Sequence, residues 1–444
     1  MGRVHDVAAS TSPAMEPSDP RVRTALERPR SVEPRWRAVW YFLLLLVALQ
    51  LLVGGKIRLS QWSVNARDNA SVAEGVAWLH GQVSLLRTAD GPEPQKRPHD
   101  TAYYNGKVYC VYPPLVPILT VLLAPLHSLR HLPEGVWARL PYMLLCFWPL
   151  PIVGYLVFRR QAGESAWGAL LTLAWIGGTT VLPMLEAAQH GYLAQLYHAM
   201  SQVGLLIFAA DMLGRRRLWP GLLGLLISTY TRQLTFLFAL PLLWVAWHQG
   251  RRRLALTTAG LLAIAAPLLI LNYLKFGNPL DFGYRHVYVG REVGDYMGER
   301  AKQYGLFSPH FIPENFYYLN LAPPAVGLDP PRIEVDESNH NGVSLWLTTP
   351  IAAWVFLGAR EWWRDSRRRL LMLATVPVLA ALLCYHSPGY MQPGFNRFAL
   401  DFLPIWLVVV APWTRGGWRT HFTLGCIAWG LLYFQAIVPD TPIS

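Results

Sequence analysis

The sequence predicts an all-α fold, a polytopic transmembrane bundle of about eleven spans, and three observations carry that prediction. Only 15% of the 444 residues are Asp, Glu, Lys or Arg, against 53% hydrophobic, whereas a soluble domain carries about 25% charged residues. The charge is also segregated. Polar stretches hold most of it, and many windows of about 20 residues, long enough to cross a hydrocarbon core of roughly 30 Å, hold almost none. Finally, 19 Trp and 20 Tyr suit the aromatic belts of two membrane interfaces. The same composition excludes a disordered chain, a secreted disulfide scaffold and a single-domain soluble enzyme. The four cysteines form no framework: Cys146, Cys384 and Cys426 fall in apolar runs, and Cys110 stands alone in a polar loop.

Residues 1–36 are rich in Pro, Ser, Glu and Arg without apolar periodicity and are predicted to be a disordered cytoplasmic tail. The apolar run 39–53 follows Arg35 and Arg37 and lacks a small-residue cleavage site, so it reads as a retained signal anchor entering from the cytoplasmic side. Segment 56–112 then faces outward and opens a first outer loop that extends to residue 137. Within it Ala70, Ala73, Val76, Ala77 and Leu79 recur at helical spacing, and Ser71 with Glu74 has the spacing of a capping box. The prediction is a short amphipathic helix lying along the membrane surface.

The apolar stretch 113–129 holds Pro113, Pro114, Pro117 and Pro125. As a span it would place Arg159-Arg160 outside. As a re-entrant or interfacial segment it leaves every short basic cluster on the cytoplasmic side: Arg159-Arg160, Arg215-Arg216-Arg217, Arg251-Arg252-Arg253 and Arg367-Arg368-Arg369. The second reading is adopted because it satisfies all these loops together. The remaining spans are predicted at 138–158, 165–184, 197–213, 218–230, 234–248, 254–274, 342–358, 369–386, 398–413 and 418–438, leaving the C-terminus outside. The runs 218–230 and 234–248 are short for a crossing. They meet at Tyr230-Thr231-Arg232-Gln233, which therefore belongs in protein or a wet cavity below the outer surface. The organisation is a tail 1–36, a transmembrane module 37–274, a large outer loop 275–341 and C-terminal helices 342–444. The net charge of +12, from 39 Lys+Arg against 27 Asp+Glu, resides in short loops between apolar runs. A nucleic-acid partner would need basic residues interleaved with aromatics on one wet surface, so none is expected.

No P-loop, G-x-G-x-x-G, H-E-x-x-H or G-x-S-x-G motif is present. The polar chemistry concentrates at the outer face. Asp68 and Asp100 are carboxylates beside a low-dielectric surface and are candidate general bases, although Asp68 is also placed to cap the helix that follows. Arg232 and Arg397 are ionisable residues at membrane depth and are therefore candidate functional residues. For Arg397 the structural alternative is an i, i+4 pair with Asp401. Glu186, His190 and His198 share a short outer loop without a known ligand spacing and read as interfacial polar residues. No metal site is assigned; a divalent metal is compatible with the sequence but not required by it.

The first outer loop resembles that of the GT-C glycosyltransferases, which include the protein O-mannosyltransferases and the aminoarabinose transferases of lipid A. The resemblance rests on "WSVNARDNASVAEGVAWLHGQVSL" and "DTAYYNGKVYCVYPPLVPILTVLLAPLHSL". There Asp68, Gly81, Asp100, Ala102, Gly106, Tyr109, Pro113 and Pro114 match an acid, a helix ending in x-x-G and then D-x-A-x-x-x-G-x-x-Y-x-x-x-P-P. "LNYLKFGNPLDFGYRH" and "YMQPGFNRFALDFLP" extend the similarity, in order, over most of residues 38–440. Family members often carry adjacent acids where this chain has Asp68-Asn69, so Asp100 stands beside Asp68 as the base. The resemblance implies an inverting transferase in a bacterial inner membrane. It implies a polyprenyl-phosphate-linked sugar as donor and a lipid, glycan or protein acceptor. It further implies donor-phosphate contacts from Arg232 and Arg397 and substrate contacts from Tyr109, Tyr284 and Arg285. A lipid-linked-glycan flippase and a non-catalytic membrane assembly factor are the competing expectations. A transporter would place its ionisable residues near the midplane with gates on both sides.

Overall fold

The computed structural model describes residues 33–53, 70–85, 101–130, 148–189, 193–290, 295–324, 326–329, 332–335, 342–388 and 394–437. Among them the fold is mostly helical, with 76% of residues helical and 19 helices, and two small antiparallel hairpins are the only sheets. Two of the described helices are long and apolar enough to cross a membrane unaided, Arg35–Leu52 and Arg251–Phe276.

The first of these belongs to α1 (Arg35–Val53). Next come α2 (Ala70–Leu79), β1 (Thr101–Tyr104), β2 (Lys107–Cys110) and α3 (Leu115–Arg130). The hairpin turns on Asn105-Gly106, both at positive φ (48° and 74°), the Asn-Gly pair that a two-residue turn favours. The periodicity of 70–79 does make a helix, but the capping box is corrected. The helix already runs at Ala70, and Ser71 and Glu74 are buried in its body. The reason is chemical: Glu74 finds a cation from another element and has no need of its own backbone.

The central bundle follows: α4 (Pro149–Ala162), α5 (Ser165–Gly177), α6 (Val181–Gln189), α7 (Leu193–Leu213), α8 (Trp219–Thr229), a 3₁₀ segment Gln233–Phe238, α9 (Ala239–His248) and α10 (Arg251–Phe276). The expected continuous run 165–184 is broken between α5 and α6. There the Thr179 hydroxyl donates to the Trp175 carbonyl and accepts the Val181 N–H, ending one helix and starting the next. α7 and α8 approach backbone to backbone at Gly204 and Gly224, where an added Cβ on either would stand 2.4–2.5 Å from the carbonyl oxygen of the other. Small residues are the usual device for such close helix pairs.

After α10 come α11 (Tyr284–Val287), α12 (Tyr296–Tyr304), α13 (Ile312–Asn320), β3 (Val326–Asp329) and β4 (Arg332–Val335). The chain then continues as α14 (Leu345–Thr348), α15 (Trp354–Leu357), α16 (Ala359–Arg364), α17 (Ser366–Leu383), α18 (Leu403–Val410) and α19 (Trp418–Leu432). The expected span 342–358 is two short helices joined by a 3₁₀ turn, Pro350–Ala353, because Pro350 has no N–H to continue the ladder. Every residue of α18 is buried; a helix apolar on all sides belongs at the centre of a bundle.

Side-chain contacts gather the four Arg clusters at one end of the molecule. Glu33 accepts from Ser165, and Glu164 pairs with Arg415. Arg368 reaches Gln161 and the carbonyls of Val408 and Val409, and Arg367 donates to the carbonyls of Leu213 and Gly214. Gln249, adjacent to the 251–253 cluster, donates to the Arg216 carbonyl. α10, about 39 Å long at 1.5 Å per residue, carries its Arg251–Arg253 end here and its Phe276 end at the opposite pole.

Candidate functional site

The opposite pole is where the sequence-predicted residues meet. The turn after α8 is held rigidly: the Arg232 N–H donates to the Ser228 carbonyl at 2.7 Å, and the Thr231 hydroxyl donates to Ile227 and Ser228 carbonyls. The first residue of α3 is tied to it, Leu115 N–H donating to the Tyr230 carbonyl at 3.0 Å. Arg232 leaves this turn in an extended conformation. Its Nε and Nη2 donate to the two carboxylate oxygens of Asp401 at 3.0 and 2.6 Å. Asp401 is fully buried, whereas the Arg232 side chain keeps 20% exposure. The carboxylate thus aims the guanidinium, and Nη1 has no protein acceptor among the described residues.

Asp401 therefore turns to Arg232 and not to Arg397. Residues 397–401 form a 3₁₀ helix, in which side chains align at i, i+3 and not at i, i+4. Arg397 and Arg232 are instead related through Phe398, whose ring lies 5.2 Å from one guanidinium and 5.7 Å from the other. His198, near the start of α7, places Nδ1 3.8 Å from Asp401 Oδ1. Gln202, one turn further along α7, donates to the Leu400 carbonyl at 2.6 Å and locks the 3₁₀ segment in place. Tyr385 packs against Phe398 with ring centroids 5.8 Å apart, and Arg232, Arg397 and Tyr284 are near neighbours of its hydroxyl.

A second group adjoins the first. Tyr104 and Tyr109 of the hairpin pack edge-on to Phe276 at 5.9 and 5.5 Å, and His286 stacks on the same Phe276 ring. Tyr109 is thereby buried, and Tyr284 is half-buried at the start of α11. Arg285 is 61% exposed on its side chain and pairs with Asp281 at 2.6 Å. Burial favours the protonated form of Asp281, yet hydrogen bonds from Arg285, the Gly283 N–H and His286 prevail and hold its carboxyl below the ordinary range. The large segment after α10 is stitched to the short non-helical segment beyond α17. Tyr288 Oη meets His386 Nε2 at 2.6 Å, and Asn315 and Arg300 donate to the carbonyls of Tyr385 and His386.

Beneath the hairpin lies an ion pair that sequence reasoning missed. Lys275 Nζ sits 2.5 Å from Glu74 Oε1, with both side chains buried, and donates to the Cys110 carbonyl at 2.8 Å. Burial pushes the Glu74 carboxyl up against the opposing pull of Lys275. The signal was available: Ala70, Glu74 and Ala77 share one helical face, so the period itself puts a carboxylate among apolar positions, where it needs a cation.

Asp68, Asp100 and His190 lie outside the described residues. The nearest described neighbours of the two acids, Ala70 and Thr101, both sit against Cys110, Ala70 by packing and Thr101 by strand register. Of the other predicted residues, the structure brings Arg232, Arg397 and Tyr284 together around Tyr385 and Phe398, and places Tyr109 and Arg285 in the adjoining aromatic group. Among the described residues no group of three or more His, Cys, Asp or Glu side chains is arranged to hold a metal. The pole as a whole offers aimed guanidinium donors over aromatic faces, the chemistry that binds a phosphate and the planar or apolar groups attached to it. No protein-family model, no curated protein and no solved structure matches this chain.

Proposed function

We propose that the chain is a bacterial inner-membrane glycosyltransferase of the GT-C type. In this reading about eleven spans carry a cytoplasmic N-terminus, and the enzyme takes a polyprenyl-phosphate-linked sugar and passes it to an acceptor hydroxyl at the outer face. The observation that carries the reading is polarity. Arg232, Arg397, Asp401, His198, Lys275, Glu74 and Asp281 gather at one pole, and the Arg clusters gather at the other. Short basic loops mark the cytoplasmic side, so the buried polar groups fall on the outer side and not at a midplane with gates on both sides.

The chemistry then assigns itself to positions. A carboxylate, Asp68 or Asp100, takes the acceptor hydroxyl proton; the oxygen attacks the anomeric carbon from the face opposite the phosphate; the bond from that carbon to the phosphate oxygen breaks. A single displacement of this kind inverts the anomeric centre. The polyprenyl phosphate departs with an added negative charge, which guanidinium donors stabilise where it develops. Arg232, held by Asp401 with its outer edge open, and Arg397 are suited to that task. Tyr109, Tyr284 and Arg285 would contact the sugar or acceptor.

The test is incubation of the purified chain with a panel of radiolabelled polyprenyl-phosphate sugars in liposomes containing bacterial lipid and peptide acceptors. One donor should lose its label to an acceptor with inversion at the anomeric carbon. A chain that neither binds nor turns over any member of the panel would refute the reading.

A further inference from the structure

At the Arg-cluster end a groove of about 390 Å³ opens between α9, the first turns of α17 and the turn joining α7 to α8. Arg216, His248 and Arg369 form its mouth, and Trp244, Leu370 and Leu373 form its body. No acid lines it. The acids nearest in sequence are committed elsewhere. Asp211 accepts the N–H groups of Arg217 and Leu218 at 3.0 Å each; Asp365 caps α17 and pairs with Arg368. Arg216 spends Nε on the Met212 carbonyl and Arg369 spends Nη1 on that of Trp363, which leaves most of the five donors of each guanidinium for other acceptors. Burial lowers the Arg216 pKa from its ordinary value and the neighbouring charge of Arg367 lowers it further, against the pull of Asp365 and Asp211. An anion at the mouth would relieve both effects.

The body of the groove supplies a second, different demand. Trp244 is 59% exposed and Leu373 48%, and Val376, one turn further along α17, is 55% exposed. This apolar strip leads away from the cations along the exposed faces of α9 and α17. A water-soluble anion would satisfy the mouth and leave the strip bare; an uncharged lipid would do the reverse. Basic pockets between helices near the cytoplasmic interface meet both demands by binding acidic lipid headgroups.

We infer that this groove is a binding site for an anionic phospholipid of the cytoplasmic leaflet. Arg216 and Arg369 hold its headgroup phosphate beside His248, and an acyl chain lies along Trp244, Leu370 and Leu373. The inference rests on the membrane orientation proposed above and is independent of transferase activity.

The full chain, purified in neutral detergent, is titrated with phosphatidylglycerol, phosphatidylcholine of the same acyl chains, and inorganic phosphate, and bound lipid is counted by native mass spectrometry. Phosphatidylglycerol should bind about tenfold or more tighter than phosphatidylcholine, and R216Q/R369Q should lose that preference. R252Q, which removes an exposed cation at the same end but outside the groove, should keep it. Leu373→Ser, at a half-exposed position that folding tolerates, should weaken phosphatidylglycerol without altering phosphate binding. Equal affinity for the two lipids, an equal loss in R252Q, or phosphate binding as tight as phosphatidylglycerol would each overturn the lipid site. Release of the chain from membranes by alkaline extraction would overturn the membrane reading and the site with it; an embedded chain lacking selectivity overturns the site alone.

Discussion

The Arg232–Asp401 pair joins positions 169 apart in the chain, and its two members differ in how far the sequence reveals them. An arginine between two short apolar runs announces itself, because a guanidinium there must find a partner. Which carboxylate answers is set by how α8 and the 3₁₀ segment 397–401 are brought together, and no spacing rule encodes that. The pair also separates two roles for Arg232. Arg232→Ala strips the partner from a fully buried carboxylate, an uncompensated charge that costs about 3–5 kcal/mol. R232A/D401N removes both charges and should recover most of that loss. If Arg232 also holds the donor phosphate, the double variant melts near the parent temperature yet binds donor at least about tenfold more weakly, the loss of a charge-assisted contact. Thermal unfolding beside donor titration reads the two separately. Recovery of both stability and affinity would leave Arg232 a purely structural ion.

At the scale of elements, the Glu74–Lys275 pair fastens the first polar segment to the end of α10. The helix 70–79 was readable from its period, which also places Glu74 on the face of Ala70 and Ala77; the capping-box spacing of Ser71 and Glu74 pointed instead to a local role for that carboxylate, and tertiary pairing with Lys275 overrode it. The hairpin lies outside the all-α expectation, yet it carries a local signal, since Asn105-Gly106 between Ala102-Tyr103-Tyr104 and Val108-Tyr109-Cys110 is a strong turn pair. The broken stretches 165–189 and 345–357 were hidden because hydropathy averages over a window and does not register where Thr179 or Pro350 interrupts the ladder. Lys275→Met should lower the melting temperature sharply, by the equivalent of about 3–5 kcal/mol, because it orphans a buried carboxylate. E74L/K275M should restore much of the loss, since an apolar pair of similar volume replaces a desolvated one. If the double variant is as unstable as K275M, the destabilisation comes from lost packing around Cys110 and not from the stranded charge.

The whole molecule turns on its two poles. Arg35, Arg159, Arg216, Arg252 and Arg368 stand on separate elements, yet contacts between those elements and their neighbours bring the clusters to one end; the sequence had required only that they share a side. The path of the described chain between the poles can be followed through those contacts. Residue 33 begins at the Arg-cluster end, beside Ser165. α19 starts at the same end, where Arg419 pairs with Glu361, and it finishes at the other pole, where the Tyr433 hydroxyl donates to the Gly394 carbonyl. The first and last described segments therefore lie at opposite poles, which in a membrane demands an odd number of crossings. The segment 115–130 decides between readings: it is helical and tied at Leu115 to the Arg232 turn, and counting it as a full crossing would make the total even. We expect cysteine-accessibility or reporter fusions placed after Gly163, Gly250 and Gly417 to report the cytoplasm, and fusions after Gly277 and Ser387 to report the exterior. Arg clusters split between the two sides would break the polarity on which both the transferase reading and the cytoplasmic lipid groove depend. An external report after Gly163, with the later positions unchanged, would instead show that 115–130 crosses and that a later passage between the poles does not.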